Sequence, residues 1–84
     1  MTDFSPNQPE NTTDLSQCKK GSKCVILGLV GVHRDRLSQM GFNPGTRLLV
    51  ANTDGSGSVL LIMIKGYQLA LRKDEAKAVL VRVL

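Results

Sequence analysis

Apolar residues from Lys23 onward come in short alternating runs broken by glycine-bearing polar segments, the rhythm of strands and turns. Lys23–Val30 is the first such run. It has Val25, Leu27 and Leu29 on one alternating set and Cys24 and Ile26 on the other, and Gly28 marks a bulge or a close backbone approach. Arg47–Asn52 sets Leu48 and Val50 against Leu49 and Ala51. Ser58–Ile64 is the most apolar run, Gln68–Arg72 carries Leu69 and Leu71, and Ala78–Leu84 closes the chain. The breaks between runs predict a turn at Lys19–Ser22, a hairpin loop at Asp54–Gly57, a tight turn at Lys65-Gly66-Tyr67, and a helical turn at Lys73–Ala76 with Asp74 as its cap.

One segment reads as a helix, His33–Met40, with Leu37 and Met40 three apart on one face and His33, Arg34, Arg36 and Gln39 left for solvent. Its end follows from local chemistry. Gly41 suits the left-handed position after the cap, and Phe42 behind it can reach back to Leu37. Asn43-Pro44-Gly45-Thr46 then has proline and glycine where a type II turn requires them. Five strands, one helix after the first and a helical turn before the last predict a mainly β, small, strongly bent five-stranded barrel.

Residues 1–14 have one large apolar residue, Phe4, among prolines, Asn, Thr and Ser. Such a segment cannot offset its ordering entropy by burial, so it reads as a disordered arm, with the folded unit spanning 15–84. The arm carries Asp3, Glu10 and Asp14 and no basic group. The remainder carries all eleven Lys and Arg against four carboxylates, a body of +7 that favours an acidic partner. Eighty-four residues allow a single domain with a small core. The longest unbroken apolar run, Val59–Ile64, is far short of the ~20 residues of a membrane-spanning helix. No basic and apolar leader opens the chain, so the expected location is the cytoplasm, where Cys18 and Cys24 would stay reduced and act as small hydrophobes.

No pattern supports catalysis. Asp74 and Glu75 are neighbours on a polar turn, where nothing pushes their pKa values apart, and the chain has neither a P-loop nor a GxGxxG run. No cofactor is expected to be required. For metal, His33 is the weak candidate for Fe(II) or Zn(II) binding, since His33-x-Asp35 on a helix does not bring two side chains to one face. The segment from Lys19 to Gly31 faintly resembles the start of a KOW-type RNA-binding segment, yet Tyr67 is the one aromatic left for stacking, so nucleic acid is not an expected partner. The apolar surplus of Val59–Ile64 needs cover on both faces. Either Leu60, Ile62 and Ile64 or Val59, Leu61 and Met63 must be covered from outside the barrel, by the rest of the chain or by another protein. The first set is taken as the partner-binding one.

Two motifs narrow this further. They are Arg36-Leu37-x-x-Met40-Gly41-Phe42-x-Pro44-Gly45 and Gly66-Tyr67-x-Leu69-Ala70-Leu71-Arg72-x-x-x-Ala76. With VILGLVG before them, their order and spacing resemble the FeoA family across residues 15–84. The resemblance implies an SH3-like barrel with an inserted helix. It also implies a cytosolic accessory protein of Fe(II) uptake that works with FeoB, the membrane Fe(II) transporter with a cytosolic GTP-binding domain. The related barrel of metal-dependent repressors follows a DNA-binding helix-turn-helix, where this sequence has its polar arm. On this basis Arg34 and Arg36, with Leu60, Ile62 and Ile64, are expected to meet the partner at the inner face of the membrane. A transition-metal-binding barrel and a small RNA-binding barrel are the alternatives, and self-association is compatible with the sequence.

Overall fold

The alternating runs pair as antiparallel strands in the computed structural model, which describes residues 12–84. The strands are β1 (Thr12–Asp14), β2 (Lys23–Leu29), β3 (Arg47–Thr53), β4 (Val59–Ile64), β5 (Tyr67–Arg72) and β6 (Val79–Val83). Helix α1 (Arg34–Gln39) lies between β2 and β3, and the single-turn helix α2 (Lys73–Ala76) lies between β5 and β6. The order across the sheet is β1-β6-β2-β3-β4-β5, with every neighbouring pair antiparallel.

Inward residues of β2 to β6 meet in one cluster. Cys24, Ile26, Leu48, Val50, Leu60, Ile62, Ile64, Leu71, Val79 and Val81 share it with Leu37 and Phe42 from the helix and its stop. The pairings Val50 with Ile62, Leu60 with Leu71 and Ile26 with Val81 place apolar partners directly opposite on that inner face. The bulge anticipated near Gly28 is present, as the β2–β6 register shifts between Ile26 and Gly28. A second one, between Val50 and Asn52, bends β3 where no glycine announces it.

The local signals hold closely. The Phe42 N–H donates to the Leu37 carbonyl at 3.0 Å and the Gly41 N–H to that of Ser38 at 3.1 Å, with Gly41 at φ +99°. That is the Schellman arrangement, and Leu37 and Phe42 are both fully buried behind it. The Thr46 N–H closes on the Asn43 carbonyl at 3.1 Å with Gly45 at φ +87°, the type II turn.

Three readings change. The barrel gains a sixth strand. Thr12–Asp14, assigned above to the arm, pairs with β6 through Thr12–Arg82, Thr13–Val81 and Asp14–Leu80. Its three residues bury no large apolar side chain, so pairing with the β6 edge is what orders them, and composition carries no sign of it. Asp14 then caps the 3₁₀ turn Leu15–Gln17, accepting from the Ser16 N–H at 2.9 Å. The rest of the arm, residues 1–11 with Asp3, Phe4 and Glu10, lies outside the described residues. The β4–β5 turn is two residues, Lys65 (φ 51°) and Gly66 (φ 82°), so Tyr67 begins β5 opposite Ile64. Helix α2 is capped by Glu75, whose carboxylate accepts from the Arg72 N–H at 3.1 Å, while Asp74 sits in the first turn.

Candidate interaction surface

Glu75 is the buried charged side chain among the described residues. Its second oxygen accepts from the Arg36 guanidinium, so one carboxylate caps α2 and ties α1 to it. A carboxylate taken out of water needs such partners, and charge-assisted bonds of this kind are the stronger ones. Arg36 is therefore a tether: its outer part faces solvent, but its guanidinium is engaged. His33 pairs with Asp74 at 3.5 Å, Nε2 to Oδ2, beside this node. Together with Arg72 these groups line a polar cleft of about 230 Å³ between the two helices. Among the described residues no three His, Cys, Asp or Glu side chains converge as metal ligands do, and His33 with Asp74 forms a pair.

Next to the cleft the loop from β2 to α1 projects. Val32 is 94% exposed and Val30 is 44% exposed, and Arg34 beside them is exposed as well. Arg34 has no side-chain bond to another described residue, unlike Arg36. An isolated exposed valine is ordinary, but Val30 and Val32 flanked by a free guanidinium make a mixed apolar and cationic tip.

The second apolar surface is the outer face of the sheet, and here the expected parity is reversed. Leu60, Ile62 and Ile64 are between 0% and 2% exposed, inside the core, and cannot meet a partner. The outward set is Val59, Leu61 and Met63. Met63 stands opposite Leu49, and with Lys23, Arg47 and Leu84 they border a hollow of about 260 Å³. Leu61 and Val59 continue the strip past Ala70. Two cations rim an apolar floor there, a feature visible in sequence only as the two-sided apolarity of Val59–Ile64.

The remaining motif residues sit in the helix stop, the turns, the β4–β5 hairpin and the core. The Tyr67 hydroxyl donates to the Met40 carbonyl, satisfying one of the orphan acceptors at the end of α1. The Lys65 side chain lies over Gly41, with its Cδ and Nζ 3.5 Å from where a Cβ would stand. Leu69 packs against the core, Leu71 is inside it, and Arg72 is the residue from which α2 starts. Pro44 and Gly45 make the turn into β3. The glycine-rich loop Gly55–Gly57 is not free to cradle an anion: the Asp54 carboxylate accepts from the N–H groups of Ser56, Gly57 and Ser58 at 2.8–3.1 Å.

A six-stranded antiparallel sheet around one core, with two short helices and its exposed chemistry spread over apolar and cationic surface, defines a small SH3-like domain. The FeoA domain matches residues 13–83, and the chain belongs to that family, a small transport-associated family linked to ferrous iron transport. Among solved structures it is similar to a FeoA-like protein from Clostridium acetobutylicum, with 31% identity, 90% of this chain and 91% of that one covered and a TM-score of 0.82. It is similar to an iron uptake regulatory protein, FeoA, with 31% identity over 87% of this chain and 97% of that one and a TM-score of 0.76. It also resembles FeoA of Stenotrophomonas maltophilia, solved in complex with zinc, with 27% identity, 82% and 88% coverage and a TM-score of 0.74. No curated protein matches in sequence.

Proposed function

We propose that this protein is a cytoplasmic accessory of ferrous iron uptake that acts by binding the cytosolic GTP-binding part of a FeoB-type transporter. The observation that carries the proposal is the exposed tip of Val30, Val32 and Arg34, with two apolar side chains and a guanidinium that bonds to no side chain among the described residues, on one loop and helix start. A body of +7 supplies long-range attraction to an acidic partner surface. No described helix is long and apolar enough to cross a membrane, in keeping with a part played beside a transporter. The role is one of contact rather than catalysis.

Isothermal calorimetry of the whole chain against the isolated FeoB cytosolic domain, with and without guanine nucleotide, tests this. Binding in the micromolar range is expected. Val32→Asp and Arg34→Glu should each weaken it about tenfold or more, the loss of ~1.4 kcal/mol that one good contact represents. Wild-type affinity in both variants would reject the docking surface, and absence of binding in every nucleotide state would reject the partner. Weak Fe(II) or Zn(II) binding at the His33–Asp74 pair is a separate proposal, and equal metal uptake by wild type and His33→Ala would remove it.

A further inference from the structure

The sequence reads the two cysteines as small hydrophobes, and the fold brings them together. Cys18 follows the 3₁₀ turn and Cys24 is the second residue of β2, and their sulfurs are 3.8 Å apart as free thiols. The five intervening residues reverse the chain through Gly21, at φ +90°, which aims both side chains at the same point of the core.

We propose that Cys18 and Cys24 form an oxidation site at which a peroxide closes an intramolecular disulfide, joining the segment after the 3₁₀ turn to β2. Three observations carry it. The sulfurs are in contact, and a bond of ~2.05 Å needs them to close by less than 2 Å, within reach of a side-chain rotation. Cys18 is in extended backbone at the end of its turn (φ −83°, ψ 144°), and what holds its thiol besides Cys24 is one weak bond donated to the Asp14 carbonyl at 3.8 Å. The pair also has an entrance. Cys18 lines an open cleft of about 310 Å³ with Ser16, Lys19, Lys20 and Leu60, while Cys24 is fully buried behind it. Cys18 is therefore the thiol a small oxidant reaches, and Cys24 the one that resolves.

The chemistry balances with hydrogen peroxide as the two-electron oxidant. The Cys18 sulfur attacks one peroxide oxygen, the O–O bond breaks, and a sulfenic acid forms as the thiol proton leaves with the departing hydroxide as water. The Cys24 sulfur then displaces the sulfenic hydroxyl, which takes the Cys24 proton and leaves as a second water. Both sulfurs are oxidised and both peroxide oxygens reduced. Burial is the first cause pushing the Cys18 thiol up to about 12, with Cys24 and Asp14 adding to it, and burial raises Cys24 as well. Burial disfavours both thiolate forms, which slows the first step.

The test uses the whole chain, reduced and then exposed to hydrogen peroxide, with free thiols blocked by N-ethylmaleimide in urea before mass spectrometry. The expected product is a monomer that has lost two hydrogens and takes up no maleimide. Its tryptic digest should hold one linked peptide pair, because Lys19, Lys20 and Lys23 are cut between the cysteines. Dithiothreitol should restore two reactive thiols. Cys24→Ser, checked for folding by circular dichroism, should halt at a Cys18 sulfenic acid trapped by dimedone. Retention of two maleimide-reactive thiols in the oxidised wild type would overturn the proposal. So would a bridge formed between chains, or one that forms only when peroxide is added in urea.

Discussion

Arg34 and Arg36 are two residues apart on one short helix and look interchangeable in sequence, yet the structure separates them. Arg36 neutralises Glu75, the carboxylate that caps α2, whereas Arg34 faces solvent. Removing Arg36 leaves a buried charge short of a partner. Arg36→Ala should therefore cost about 1–3 kcal/mol, the range for an orphaned buried polar group, moderated because the arginine is itself partly exposed. Arg34→Ala should fall within about 0.5 kcal/mol of wild type, as surface changes usually do. Urea titrations of the two variants check this, and equal midpoints would show that the pair adds nothing to stability. A binding study that pairs both substitutions would confuse lost contact with lost fold, so the partner experiment rests on Arg34 and Val32.

At the scale of elements, the stop of α1 carries most of the local information. Leu37, Gly41, Phe42, Pro44 and Gly45 write a Schellman cap and a type II turn within nine residues, and both form as read. The β4–β5 hairpin then closes over this stop, with Tyr67 on the Met40 carbonyl and Lys65 across Gly41. Gly41 matters for its backbone angle more than for space, since a Cβ there would meet a flexible lysine at ordinary contact distance. Gly41→Ala should accordingly lose ~1–2 kcal/mol, the cost of a left-handed conformation in an L-residue. In a domain of this size that lowers the thermal midpoint by roughly 4–16 °C. An unchanged midpoint in a melting scan would mean that the cap relaxes at no cost.

For the molecule as a whole, the decisive question is which face of β4 is inside. Its two alternating sets are almost equally apolar, and the structure buries Leu60, Ile62 and Ile64 while leaving Val59, Leu61 and Met63 outward. A charge discriminates between them. Ile62→Asp should abolish folding, because an unpaired buried carboxylate costs more than the marginal stability of an 84-residue chain. Leu61→Asp should leave a folded domain with a changed outer face. Circular dichroism of both variants checks the assignment, and the opposite outcome would reverse the sheet. The outer strip beside Lys23 and Arg47 is accordingly an apolar surface that the described residues present besides the Val30 and Val32 tip.

What the sequence determined by itself is what depends on neighbours in the chain. Strand and turn order, the helix stop, the bulge at Gly28 and the family motifs were legible because a glycine angle, a proline or an alternation acts over two to six residues. Tertiary structure alone decided the rest. The strand Thr12–Asp14 exists because the edge of β6, some seventy residues away, offers it hydrogen bonds. Glu75 displaced Asp74 as the cap because Arg36, thirty-nine positions earlier, stabilises its burial. The inward face of β4 was settled by the apolar partners that β3 and β5 bring opposite it. The contact of Cys18 with Cys24 was settled by the core that both must enter. Alternation states which residues share a face, but burial is a property of the assembled sheet, and only the packed molecule assigns it.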